Sequence, residues 1–361
     1  MGQFMRGAMV AAALCGLFTL GSTIAVGQAA PGGAGSGKGA IVGTGVFTVF
    51  VENMDRSLAF YHDVFGMEVP PLPASGARPY NNPNPRLFQF FDIPGAKERH
   101  QSARVPGRTG VEAMEIQNVA FKTIPLRIQD PGAATLVLAV RDLDAALARV
   151  KQANVPIATP GGKPVTLADG ARAILIRDID NRFIEIRQPA VLPEAAASSP
   201  STTSNIVDIR VSIAVNDMDR TRHVYRDVLG FKVEGETAFA ADTPMQALTG
   251  LSKAEIRRSR VQSPGSTLWL EFVEFKNVDR TPLRMKIQDR GAARLQLRTQ
   301  NIDAMVNAVK SAGLTVATEG AVAVPIPPNM KGALVADPNN FFVTLFEACD
   351  GCAPRELPAS Q

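Results

Sequence analysis

Residues 51–66 read VENMDRSLAFYHDVFG, and residues 215–230 read VNDMDRTRHVYRDVLG. Met54, Asp55, Arg56, Tyr61, Asp63, Val64 and Gly66 return as Met218, Asp219, Arg220, Tyr225, Asp227, Val228 and Gly230, at an offset of 164 (219 − 55). Self-similarity at a fixed offset is the mark of a structural unit built twice. Each stretch follows a β-rich run, residues 47–51 or 211–215, and then spaces its apolar residues along one face of a helix. Asp55 and Asp219 fall at the helix starts, where a carboxylate caps free amides and favours the dipole.

Further echoes lie outward from this pair. Ile128-Gln129-Asp130-x-Gly132-Ala133-Ala134 returns as Ile287-Gln288-Asp289-x-Gly291-Ala292-Ala293, offset by 159 (289 − 130), and Met114-Glu115-Ile116 is answered by Leu270-Glu271-Phe272, offset by 156 (271 − 115). Each copy also divides in two. Residues 136–140 and 295–299 are again β-rich runs leading into helical segments, with Asp144 and Asp303 at their starts. Short strand-like runs broken by Gly and Pro follow every helix. The chain therefore reads as four β-α-β-β-β modules of the α+β class.

This pattern resembles the vicinal oxygen chelate superfamily of glyoxalases, bleomycin-resistance proteins and extradiol dioxygenases. Residues 51–66 and 215–230 carry the resemblance, supported by the module endings at 178–186 and 337–345. It covers one domain at 41–190 and a second at 206–348, joined by a linker at 191–205 rich in Ala, Ser, Thr and Pro. The resemblance implies tandem modules whose sheets curl around a cavity, with helices packed outside.

Composition bounds the rest. Apolar residues are 45% and charged residues 20%, the balance of a globular protein. The net charge is +4, with basic residues scattered and no basic-aromatic patch, so nucleic acid is not an expected partner. Residues 1–30 have the order of a secretory signal: Arg6, an apolar run, then small residues. Its removal leaves no stable membrane insertion and implies a periplasmic or secreted protein. A Gly-rich linker at 31–40 follows. Cys349 and Cys352, in the tail at 349–361, suit a local disulfide in an oxidising compartment.

In metal-using members of the family, four strands supply the ligands. Carried over, those places are Val46, Glu115, Thr135 and Glu185 in the first copy, and Arg210, Glu271, Arg294 and Thr344 in the second. Alternation along residues 208–215 turns Arg210, Ser212 and Ala214 to the cavity, and along 268–272 it turns Trp269 and Glu271 there. Two guanidiniums repel a divalent cation. The second copy is therefore expected to be metal-free, with Arg210 and Arg294 either holding Glu271 in a closed cluster or presenting donors to an anion. In the first copy, Glu115 and Glu185 are the candidate metal or catalytic residues. With water they would hold Mg, Mn or Fe loosely; without metal, facing carboxylates would raise one pKa and yield a general acid/base; or each would simply bond a neighbour. Arg104 and Arg260 are candidate contacts for an acidic ligand. Trp269, Phe90 and Phe91 serve as ligand walls or as core, His62 and His223 as exposed helix residues, and His100 lies at the edge of the first cavity.

The expected function is that of an exported module binding a small acidic or aromatic molecule with no cofactor. The alternative is a divalent-metal lyase, isomerase or dioxygenase acting in the first copy. A third reading fills both cavities with side chains. Whether the copies pair within one chain or across a homodimer stays open.

Overall fold

A computed structural model describes residues 39–80, 85–106, 110–192, 204–266, 268–326 and 329–348, with residues 85–87 in backbone only. The signal, most of the two linkers and the cysteines of the tail lie outside these residues.

The first module runs β1 (Ala40–Val51), α1 (Met54–Phe65), α2 (Pro85–Phe91), β2 (Lys97–Ala103) and β3 (Val111–Gln117). The second is β4 (Ala134–Val140), α3 (Leu143–Gln152), β5 (Val165–Thr166), β6 (Arg172–Arg177) and β7 (Phe183–Gln188). The third is β8 (Ile206–Val215), α4 (Met218–His223, continued by a π turn at Val224–Val228), β9 (Lys232–Glu236), β10 (Ala240–Ala241), α5 (Thr243–Thr249), β11 (Glu255–Gln262) and β12 (Trp269–Lys276). The fourth is β13 (Ala293–Gln300), α6 (Ile302–Ser311), β14 (Thr315–Val316), β15 (Val324–Ile326), β16 (Met330–Ala336) and β17 (Phe342–Ala348).

Local chemistry sets these boundaries. The caps of α1, α3, α4 and α6 are Asn53, Asp142, Asp217 and Asn301, whose side chains accept from the amides of Arg56, Ala145, Arg220 and Ala304. The expected caps Asp55, Asp144, Asp219 and Asp303 sit two residues later, in the first turns, where they favour the dipole without capping. Gly66 closes α1 at φ 69°, a left-handed conformation open to glycine without strain.

The modules pair across the copies. One sheet runs β14-β16-β17-β13-β1-β3-β2, with β15 on β16, and so combines the first and fourth modules; the other runs β10-β11-β12-β8-β4-β7-β6-β5, with β9 on β11, and combines the second and third. The seams are antiparallel: β1 on β13, with Thr48 opposite Arg294, and β4 on β8, with Thr135 opposite Ser212. Neither sheet closes into a barrel.

The repeated Ile-Gln-Asp-x-Gly-Ala motif is the clasp of this exchange. Asp130 accepts from the amide of Thr281 at 2.8 Å, and Asp289 accepts from that of Lys122 at 2.7 Å, so each copy's aspartate ties down a loop of the other. Gly132, at φ 96°, donates to the Ala214 carbonyl at 2.8 Å; a Cβ there would lie 2.4 Å from the Asn339 carbonyl. On the helix side of the sheets, Val49, Val51, Val211 and Ile213 pack with Met54, Leu58, Met218 and Tyr225 in one buried cluster. The opposite faces are the two concavities.

Candidate functional site

Strand register places four positions at the centre of each concavity. In the sheet of the second and third modules they are Thr135 on β4, Glu185 on β7, Ser212 on β8 and Glu271 on β12, with Ser212 beside Glu271 across a parallel pair. In the other sheet the equivalent positions are Arg294, Thr344, Thr48 and Glu112, with Thr48 beside Glu112. The four offsets agree with the repeat: 164 for Thr48 and Ser212, and 159 for the other three (271 − 112, 294 − 135, 344 − 185).

The first of these concavities is open. It holds a cavity of about 130 Å³ lined by all four central residues, by Arg187, Arg258 and Arg260, and by apolar side chains that include Leu167, Met245 and Phe275. Glu185 is 7% exposed, and the hydrogen bond it accepts, from Arg187 Nη1, is a long 3.4 Å. Burial pushes its pKa up, Arg187 pulls against that, and the charge of Glu271 adds to the rise. Glu271 has Arg260 Nε at 3.7 Å, beyond hydrogen-bond length. The other two arginines are engaged at the rim, Arg258 with Asp242 at 2.7 Å and Arg187 with Asp169.

The second concavity is closed by its own side chains. Glu112 accepts from Thr48 at 2.7 Å, Gln296 at 3.0 Å and Arg294 at 3.3 Å, and Arg294 reaches Thr344 at 3.5 Å. The Arg294 guanidinium lies 5.1 Å from the centre of the Phe91 ring, and Thr48 and Thr344 are wholly buried. Phe90 and Phe91 of α2 are core, and Phe90 stacks 5.5 Å from Phe346. At its edge, His100 bonds Glu98 at 2.9 Å. Burial lowers its pKa, but that bond and the charges of Glu112 and Glu98 outweigh burial and lift it to about 9.

The structure separates residues that the sequence grouped. Glu115 and Glu185 lie in different sheets and do not form a facing pair, because the modules exchange partners. Val46 goes with Glu115, and Thr135 with Glu185. Likewise Arg210 and Glu271 share one sheet while Arg294 and Thr344 are in the other, so no Arg210–Glu271–Arg294 cluster forms. Arg210 instead pairs with Asp208 at 2.8 Å. Glu115 and Glu271 are also not equivalent, lying three residues apart in register. The counterpart of Glu115 is Glu274: the two accept from the amides of Met54 and Met218 (2.9 and 2.8 Å) and from Arg99 and Arg257 (both 2.8 Å), tying the strand to the start of its module's first helix. Burial raises the pKa of Glu115, but the bonds from Met54, the Tyr80 hydroxyl and Arg99, with the charge of Arg99, leave it below the usual range.

Of the remaining candidates, Arg260 and Glu271 line the open cavity. Trp269 is half-buried opposite Gln262, and Arg104 is exposed in a backbone bridge with Glu68. His62 bonds the Met67 carbonyl and His223 bonds Asp227, both on exposed helix surface. Sequence reasoning missed Arg187, Arg258, Asp169 and Asp242. Alternation alone would have reached two of them, since Arg187 follows Glu185 by two on β7 and Arg258 precedes Arg260 by two on β11.

The donor set of the open cavity does not fit the divalent metal that the family implies. Four carboxylates and two hydroxyls line it with no imidazole, but two of the carboxylates, Asp169 and Asp242, are paired with Arg187 and Arg258, and three guanidiniums share the lining. Among the described residues, no three His, Cys, Asp or Glu side chains gather to hold an ion.

A sequence profile described as "Glyoxalase/Bleomycin resistance protein/Dioxygenase superfamily" matches residues 43–186 and 209–338. The chain belongs to this superfamily. Its fold is similar to that of glyoxalase I from Zea mays, at TM-score 0.54 and 17% identity over 86% of this chain and 92% of that one. A single-residue variant of the same maize enzyme gives TM-score 0.55 at 16% identity, covering 86% and 94%. At these identities the likeness is one of fold. No curated protein matches the sequence.

Proposed function

We propose that this superfamily member is an exported binding protein that holds one compact small molecule in the cavity between β4, β7, β8 and β12, without a catalytic metal. The observation that carries this reading is the pairing of an open cavity of about 130 Å³ with polar groups that the protein leaves poorly satisfied. A cavity near 150 Å³ accepts a benzene-sized guest, so the space suits a single ring or a short chain. Export rests on the signal-like order of residues 1–30.

Metal analysis of the purified protein separates this reading from a metal-dependent lyase, isomerase or dioxygenase. The expected result is substoichiometric metal that is unchanged in a Glu185→Ala/Glu271→Ala variant. Stoichiometric metal lost in that variant would overturn it. A thermal-shift screen then tests binding, because a ligand selective for the native state raises its stability.

A further inference from the structure

We infer that the ligand of this cavity is a compact organic cation, an ammonium on a small apolar body, with its charged head between Glu185 and Glu271. The inference rests on the binding reading above and adds the ligand's charge. It also reverses the acidic ligand expected from the sequence, whose basis was Arg210 and Arg294 in one pocket together with Arg104 and Arg260; of these four, Arg260 lines the open cavity.

Unused hydrogen-bonding capacity gives the direction. The Glu185 side chain is 10% exposed and lines the cavity, and among the described residues its Oε2 takes no hydrogen bond. Its Oε1 takes only the 3.4 Å contact from Arg187. Glu271, facing the same space, takes no hydrogen bond among the described residues. The two side chains keep 10% and 24% exposure respectively, so these oxygens are reachable from the cavity and open to donors from a guest. Thr135 and Ser212 lie between the two carboxylates on the seam.

The arginines meet these carboxylates only at long range, Arg187 at 3.4 Å from Glu185 and Arg260 at 3.7 Å from Glu271, because their stronger contacts lie toward the rim. Arg258 is held by Asp242 and Arg187 by Asp169, while the Arg260 side chain is 53% exposed. Counting the ionisable lining residues, four acids (Asp169, Glu185, Asp242, Glu271) face three guanidiniums (Arg187, Arg258, Arg260), a formal charge of −1 (3 − 4). One monovalent cation balances it. Leu167, Met245 and Phe275 supply the apolar wall for the body. An ammonium offers three donors, which suits carboxylate and hydroxyl acceptors together.

Isothermal titration of the purified protein with benzylammonium, benzyl alcohol and benzoate tests the charge on one ring scaffold. Benzylammonium is expected to bind at least about tenfold more tightly than the alcohol, as a charge-assisted bond is stronger than a neutral one. Benzoate is expected to be weakest, and Glu185→Gln/Glu271→Gln to erase the preference with circular dichroism unchanged. Equal or tighter binding of the alcohol or benzoate overturns the cation and leaves the binding reading intact. Stoichiometric Mn2+ that displaces benzylammonium overturns the organic cation in favour of an inorganic one. If none of the three binds the native protein, both readings fall together.

Discussion

The two concavities begin from the same four backbone positions, share a glutamate at one (Glu271, Glu112) and a hydroxyl at another (Ser212, Thr48), and differ in chemistry at the remaining two. Where the open site has Thr135, the closed one has Arg294; where the open site has Glu185, the closed one has Thr344. The exchange converts two carboxylates with little to bind into one carboxylate with a full set of donors. Glu112 is met by a threonine, a glutamine and an arginine, and α2 lays Phe90 and Phe91 over the network. Beside Glu185 and Glu271 the cavity wall takes Met245 from the short helix α5 and Leu167, Ala168 and Asp169 from the turn after β5. One duplicated scaffold thus meets its central carboxylate from within at one site, where among the described residues only Arg294 Nε is left buried without a partner, and leaves two carboxylates open to a guest at the other.

The sharpest way to break this comparison is to remove the charge that closes the second site. Arg294→Ala would leave Glu112 buried without its cation, a change expected to destabilise the protein by about 3–5 kcal/mol. Replacing both partners, as Arg294→Met/Glu112→Gln, should recover much of the loss, since a buried pair is worth little against apolar or neutral substitutes. Urea denaturation of the three proteins measures both effects. A loss below about 1 kcal/mol in Arg294→Ala would show that the network does not hold this sheet's centre.

A smaller effect is expected at the cover of the open site. Asp242 caps α5 by accepting from the Met245 amide at 3.0 Å and also anchors Arg258. Asp242→Ala should cost about 1 kcal/mol in stability through the lost cap. It also frees Arg258 to turn inward, so benzylammonium affinity should fall. Thermal unfolding checks the first effect and titration the second; unchanged affinity would show that Arg258 is not held at the rim by this aspartate.

The fold was legible because its signals are local and repeated. The residue 51–66 stretch and its echo contain a strand end, a cap and a helix face, each fixed by neighbours in sequence. The site was less so, for two physical reasons. Which module pairs with which is decided across the seams by residues far apart in the chain, such as Thr135 opposite Ser212, and nothing local encodes it. Register along β3 was misread because Glu112 and Glu115 both sit in short apolar surroundings, and matching Glu115 to Glu271 gave an offset of 156. The clasp aspartates had already set 159, and that number selects Glu112. On β8, alternation turns Arg210, Ser212 and Ala214 to the cavity; Ser212 and Ala214 line it and Val211 and Ile213 join the core on the helix side, while Arg210 pairs with Asp208.

The least effect is also the most direct measure of which site is unsatisfied. Burial first, and then the charge of Glu271, raise the pKa of Glu185 in the folded protein above its value of 4.5 in the unfolded chain, while Arg187 and Arg258 oppose the rise. Between those two values the unfolded state gives up its proton first, so the native state binds more protons and stability falls as pH rises. Below that window Glu185 contributes no slope. Two other buried carboxyls add slopes of the same sign, Asp178 and Asp337, the latter lifted by burial to about 6. They are common to wild type and Glu185→Gln, so the difference between the two stability-pH curves isolates Glu185. That difference should grow in favour of the variant as pH rises through the window. Benzylammonium, which prefers the ionised carboxylate, should bind wild type more tightly over the same rise and release a proton as it does so. Parallel curves for wild type and variant would mean that Glu185 is already satisfied by the protein, and the contrast between the two concavities would then lie in their shape rather than in their charge.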